Sequence, residues 1–300
     1  SSAAGASNTS AVVFGGSPGS GVTAKVEQWN GTNWTEVTDL PSTRAYVMGL
    51  GITTAALSVG GQTAPGPYLA DTDLYNGTNW TEVNSLNTAR GYGSGVGTTT
   101  SALASTGGTA TEPRSNDVES WNGTNWSVAT EVNQQRSSAA GSGTSNTSAM
   151  VFGGEDSSPL AKTELWNGST WTETTDLSTA RQYLGGAGTQ SSALASCGQI
   201  PGSPNVTTNT ESYNGTNWTE VNNVNTGRYD VGSGGSATSN LVFAGESDPT
   251  GRVAQTELWN GTNWTEVNDL NRSEQQVSGT GASSTAVLAM GGYDPGGVKN

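Results

Sequence analysis

Among side chains that do chemistry, the chain offers 25 carboxylates, 11 lysines and arginines, one cysteine and no histidine. Without imidazole, Ser-His-Asp hydrolysis is excluded, and so is most zinc catalysis. A glycosidase built on two carboxylates needs no histidine, but no segment carries a non-repeating acidic pair that its spacing would bring together. Calcium needs a dense set of oxygen ligands, and no loop alternates its carboxylates in that way. Cys197 can form no intrachain disulfide and takes the first place of a recurring Gly-Gly pair, so it reads as a small buried residue. The expectation is a protein that is not an enzyme, with no catalytic residue, metal or cofactor.

The charged residues recur instead. Glu27, Asp73, Glu119, Glu164, Glu211 and Glu257 each lie two positions before an aromatic residue, and Arg44, Arg90, Arg136, Arg181, Arg228 and Arg272 recur alongside them. A charge pair repeated once per unit reads as structural, because an active site breaks symmetry whereas a scaffold repeats it. The net charge of −14 argues against a nucleic-acid-binding face, which needs clustered Lys and Arg. No segment approaches the roughly 18 apolar residues of a membrane span. The chain opens on Ser1 and reads as a mature product or a piece of something longer.

The units that position these residues are marked by the phrase aromatic-Asn-Gly-x-x-Trp. It begins at Trp29, Tyr75, Trp121, Trp166, Tyr213 and Trp259, at steps of 46, 46, 45, 47 and 46 residues. Such a period denotes supersecondary units that cannot bury their apolar faces alone. Within the third unit, Gly91–Gly97 and Ser101–Thr106 read as strands, with Gly107-Gly108 ending the second. Asp117–Trp121 and Trp126–Thr130 follow as third and fourth strands, joined by a turn at Asn122-Gly123. Short strands with turns every 8 to 12 residues and no helical period give an all-β chain. Four antiparallel strands in ~46 residues make one propeller blade. Trp34, Trp80, Trp126, Trp171, Trp218 and Trp264 open the fourth strands and fill the space between sheets.

The order of landmarks resembles the kelch repeat: Arg before the first strand, Gly-Gly ending the second, an aromatic ending the third and Trp opening the fourth. The glycine pairs are Gly15-Gly16, Gly60-Gly61, Gly107-Gly108, Gly153-Gly154 and Gly291-Gly292, with Cys197-Gly198 and Ala244-Gly245 as variants. Asn-Gly-Thr-Asn replaces the Asp-Pro turn usual in that family. In this the chain is similar to the regular WNGTNW-type repeats of marine bacteriophage and bacterial proteins. The resemblance implies one β-propeller domain over residues 1–300. Its copper-radical oxidase members need histidine ligands, which this chain lacks.

The repeat units are 1–43, 44–89, 90–135, 136–180, 181–227, 228–271 and a partial 272–300. The first two strands occur seven times and the last two six times, so the count favours seven blades with an incomplete last blade over the alternative of six.

Specificity lies where the repeat varies. The loops between second and third strands share a propeller face with the connections between blades, and carry Tyr68, Arg114, Asp156, Asn205, Asp248, Arg252, Tyr293 and Asp294. Tyr46, Tyr92, Tyr183 and Tyr229 follow the repeated Arg, which sets them near the channel mouth on that face. Tyrosine rings with Asp and Asn partners can stack on a sugar and hydrogen-bond to it; the same tyrosines can also serve only to pack the channel. The repeated Asn-x-Thr/Ser triplets match the N-glycosylation pattern, but the turn itself demands Asn and Gly.

The resulting expectation is a non-enzymatic binding or structural module at the virion surface or another extracellular site. It would be a bacteriophage virion component (fibre, tail or capsid appendage) that engages a host-surface glycan or another virion protein, with the incomplete last blade as a second docking edge. The alternatives are a bacterial cell-surface adhesin or lectin, and an intracellular kelch-type protein-interaction adaptor.

Overall fold

The computed structural model describes residues 2–17, 21–63 and 66–293; Asp294 and the end of the last loop lie outside them. Runs of small and branched residues broken by Gly and polar turns cannot sustain a helical stripe. Among the described residues the one helical element is a 3-10 turn at Ser284–Ala286.

Six four-stranded antiparallel sheets follow one another, each ordered from an innermost to an outermost strand. The innermost strands are Ser2–Ser7, Met48–Ile52, Ser94–Thr98, Ala140–Ser145, Gly185–Thr189 and Gly232–Ser236. A seventh, Ser278–Thr280, pairs with Leu288–Met290 alone. The protein is thus a β-propeller of six complete blades and a two-stranded seventh, counted among the described residues.

Consecutive innermost strands lie side by side, and Ser278–Thr280 touches both Gly232–Ser236 and Ser2–Ser7, which closes the ring. Two hydrogen bonds fasten the closure: Thr280 Oγ1 donates to the Gly5 carbonyl at 2.6 Å, and Asn8 Nδ2 to the Thr285 carbonyl at 3.0 Å. Glycine in the innermost strands permits their close approach; a Cβ on Gly141 would stand 1.9 Å from Ser94 Oγ.

Apolar burial is mostly between blades. Met48 and Leu50 of blade 2 pack with Ala102, Ala104, Trp121 and Trp126 of blade 3. Each aromatic at the end of a third strand meets its partner Trp across the turn, with ring centroids 5.3 Å apart for Trp121 and Trp126. The turn differs in detail from a tight Asn-Gly hairpin. Trp121 pairs with Trp126, leaving a four-residue loop in which Gly123 has φ +94°. Asn122 contributes its side chain: Oδ1 accepts from the Thr124 and Asn125 amides, both at 2.9 Å.

The outermost-strand Trp packs against the preceding blade. Trp126 Nε1 donates to Thr72 Oγ1, Trp218 to Thr163 and Trp264 to Thr210, at 3.0, 3.0 and 3.1 Å. Blade 1 begins its third strand with Val26 instead of Thr, and Trp80 Nε1 accordingly has no protein acceptor. Blade 3 begins with Val118, and there Trp171 turns to the Thr130 carbonyl.

The repeated ion pair is buried. Arg44, Arg90, Arg136, Arg181 and Arg228 are each 0% exposed and meet Asp73, Glu119, Glu164, Glu211 and Glu257 at 2.5 to 3.1 Å. Burial alone would favour neutral groups. The geometry compensates with further bonds: Arg90 Nη1 reaches the Asp117 carbonyl at 2.8 Å, and Glu119 accepts the Asn87 and Thr88 amides at 2.7 and 3.0 Å. Each pair ties an inter-blade connection to the third strand of the blade that follows.

Two landmarks shift. The left-handed first position of the glycine pair in blade 3 is Thr106, φ +62°, followed by Gly107, so the pair is Thr106-Gly107 and not Gly107-Gly108. Arg272 does not occupy the arginine register. The Gly16, Gly61, Gly107, Gly154 and Gly198 amides donate to the carbonyls of Arg44, Arg90, Arg136, Arg181 and Arg228, whereas Gly245 donates to Glu274. Glu274 therefore holds the sixth position, and Arg272 lies two residues before it.

Candidate functional site at the channel mouth

Two residues beyond each register arginine the backbone turns left-handed, at Tyr46, Tyr92, Ser138, Tyr183 and Asp230, with Gln276 in the same place after Glu274; their φ values run from +51° to +57°. Non-glycine residues rarely adopt this conformation, which costs about 1–2 kcal/mol each. Hydrogen bonds between neighbours hold it: the Tyr183 amide donates to the Ser138 carbonyl, Asp230 to Tyr183 and Gln276 to Asp230, at 3.1, 3.1 and 3.0 Å. Before each innermost strand of blades 2 to 7 the connection thus sets one side chain at the mouth of the channel.

That ring gathers the tyrosines. Tyr46 and Tyr92 stack with centroids 4.2 Å apart at 22°. Burial raises Tyr92 well above the usual phenol range, reinforced by its hydrogen bond to Tyr46 and by the nearby Tyr68 and Tyr183 hydroxyls. Tyr68 comes from the loop of blade 2, with its ring over Gly91, 3.1 Å from where a Cβ there would stand, and its hydroxyl beside Gly108. Tyr92 still presents 36% of its surface.

Tyr229 departs from the expected placement. It follows Arg228 directly, so Asp230 takes the mouth position while Tyr229 bridges to Glu246. Its ring lies 6.2 Å from Tyr183. Burial, then Glu246, pushes its hydroxyl up to about 12. Asp230 itself is pushed up to about 6 by burial, with Glu246 adding and a Gln276 hydrogen bond opposing. Asp230 was missed in the sequence because no neighbouring unit has an acid there; its position two residues after Arg228 was the available signal.

The other loop residues are engaged with neighbouring loops and do not converge on one point. Arg114 pairs with Glu155 at 3.1 Å. Asp156 accepts from Gln134 Nε2 and Gln135 Nε2 at 2.8 and 3.0 Å. The Asn205 amide donates to Asp248 Oδ2 at 3.1 Å, joining the loops of blades 5 and 6. Arg252 lies over the Tyr293 ring, 5.0 Å from its centroid. These contacts brace the loop face around the tyrosines.

Chemically the mouth offers aromatic faces edged by hydroxyl, carboxyl and amide groups. Gln182 Oε1, Gln275 Oε1 and Asn205 Oδ1 are buried without a protein donor. Among the described residues no group of three or more Cys, Asp or Glu is arranged to hold a metal ion. No helix of the described residues is long and apolar enough to cross a membrane. The chain matches no protein-family profile and no curated protein sequence.

Proposed function

We propose that this propeller is a non-enzymatic recognition module whose channel mouth binds a glycan, and that it serves as a kelch-like component of a bacteriophage virion exposed to the host surface. The observation that carries the reading is the asymmetric cluster of Tyr46, Tyr68, Tyr92 and Tyr183, with Asp230 beside it, on a scaffold that otherwise repeats itself. Stacked phenols combine apolar area with polar edges, the pairing that a pyranose with one hydrophobic face and equatorial hydroxyls requires. The buried Arg–acid pairs hold the blades together, which leaves the mouth and the loops around it as the places where residue identity varies.

The test is binding of the labelled protein to bacterial cells before and after periodate oxidation of their surface glycans. Saturable binding lost on oxidation supports the reading; equal binding to oxidised cells contradicts it. An antibody to the chain that labels purified phage particles supports the virion assignment. Labelling of cell envelopes alone points instead to a bacterial adhesin with the same binding face.

A further inference from the structure

The left-handed positions of the mouth ring among the described residues are Tyr46, Tyr92, Ser138, Tyr183, Asp230 and Gln276. Ser138 has the smallest side chain of the set and stands between two tyrosines. On one side Tyr92 stacks on Tyr46 and keeps 36% of its surface exposed. On the other, Tyr183 is half-buried. Its hydroxyl lies close enough to that of Tyr92 for the two to interact, so the two side chains flank a notch over Ser138.

The backbone opens at the same place. Around the ring each amide donates to the carbonyl of the preceding position: Tyr92 to Tyr46 at 3.4 Å, Tyr183 to Ser138 at 3.1 Å, Asp230 to Tyr183 at 3.1 Å and Gln276 to Asp230 at 3.0 Å. Between blades 3 and 4 the step is unmade. Among the described residues the Ser138 amide has no protein acceptor and the Tyr92 carbonyl no protein donor. Backbone groups in a folded chain are ordinarily paired, and these two border a notch with an aromatic ring on either side. A group inserted there must accept from the Ser138 amide and donate to the Tyr92 carbonyl. A carboxylate cannot donate. A lone hydroxyl can do both, but brings no apolar surface to the rings. An acetamido group supplies a carbonyl, an N–H and a methyl together. Its neutrality also suits the surroundings. Asp230 and Glu246 lie beyond Tyr183, Arg114 is paired with Glu155, and Arg252 lies over Tyr293.

We propose that the notch over Ser138 holds the acetamido group of a 2-acetamido sugar, so that N-acetylation is the feature by which the mouth selects its glycan. The acetamido oxygen accepts from the Ser138 amide, its N–H donates to the Tyr92 carbonyl, and its methyl lies between the Tyr92 and Tyr183 side chains. Ser138 is then the specificity-determining position of the ring, because a larger side chain there would fill the notch. The inference rests on the reading of the mouth as a glycan site and adds to it the class of sugar.

The test titrates the intact protein with the methyl glycosides of N-acetylglucosamine, N-acetylgalactosamine and N-acetylmannosamine, and with those of glucose, galactose and mannose, followed by saturation-transfer NMR. At least one acetamido glycoside is expected to bind at least about tenfold more tightly than its parent hexose, with its acetamido methyl receiving the strongest saturation. Ser138→Tyr, which sets at this position the residue that both ring neighbours carry, should remove that preference in a protein that still folds. If the variant does not fold, the wild-type comparison of each acetamido sugar with its parent decides. Equal binding of acetamido and parent sugars, or a preference that survives in folded Ser138→Tyr, overturns the inference and leaves the glycan reading standing. Binding of none of these glycosides, with periodate-sensitive binding to cells intact, also overturns the inference alone. Loss of both overturns the inference and the reading together.

Discussion

Trp126 of blade 3 donates its indole proton to Thr72 of blade 2 at 3.0 Å, across a boundary spanned by 54 residues of sequence. The same contact recurs between blades 4 and 5 and between blades 5 and 6, and long-range contacts of this kind convert a row of weak sheets into one cooperative ring. Trp126→Ala should therefore cost about 3–5 kcal/mol, the usual range for a buried indole. Trp34→Ala, at the same repeat position but 38% exposed, should cost under about 1 kcal/mol. Urea titrations of the two variants check the contrast, and equal losses would remove the distinction drawn between blade 1 and the others.

The buried ion pairs give a second expectation. Removing one partner leaves an uncompensated buried charge, so Glu119→Ala should destabilise by roughly 3–5 kcal/mol, while replacing Arg90 and Glu119 together by Met and Leu should cost much less. Thermal or urea unfolding of the single and double variants measures the coupling. A double variant as unstable as the sum of its parts would show that the pair contributes through something other than mutual charge compensation.

The propeller was legible in the sequence because its landmarks are single positions that packing and turn geometry demand: the Asn-Gly turn, the outermost Trp, the left-handed residue after the second strand. Errors came where residue type was followed in place of register. Arg272 stands two residues before the true register position, which Glu274 fills; Leu270-Asn271 aligns with Val224-Asn225 and shows the offset. Tyr229 follows Arg228 directly and so misses the mouth position that Tyr46, Tyr92 and Tyr183 take. Thr106 was hidden by Gly107-Gly108 beside it. The partners of Arg114, Asp156 and Asp248 were not legible at all, since loop-to-loop contacts between blades depend on loop shapes that no repeat pattern encodes.

Asp230 makes stability depend on pH. Its carboxyl is raised from 3.8 to about 6, chiefly by burial, so between about pH 4 and 6 the native state holds a proton that the unfolded chain has released. Its contribution is fully present below pH 4 and is lost as pH rises through 6. Asp230→Asn should reduce the slope of this segment of the stability–pH curve, to which Asp73, also pushed up to about 6 by burial, contributes in the same direction, as read by urea midpoints at half-unit intervals. An unchanged slope would mean that the group does not titrate there.

Cys197 is buried at the left-handed position, φ +59°, and its thiol is pushed up to about 11 by burial. At pH 8 almost no thiolate is present, and access is closed. The native protein should not react with a disulfide-exchange reagent over hours, and one thiol per chain should react at once in denaturant. Rapid labelling of native protein would contradict the buried placement.

Recognition at the tyrosine mouth is tested most directly by a glycan array probed with the purified protein and with the Tyr46→Ala/Tyr92→Ala variant. Both side chains are partly exposed, and each occupies a left-handed position, so the variant should fold with a stability change of about 1–2 kcal/mol at most. The account predicts saturable binding by the wild type to one structurally related group of glycans, lost at least tenfold in the variant. Binding that survives in a folded variant, or a folded wild type that binds no glycan, would contradict it.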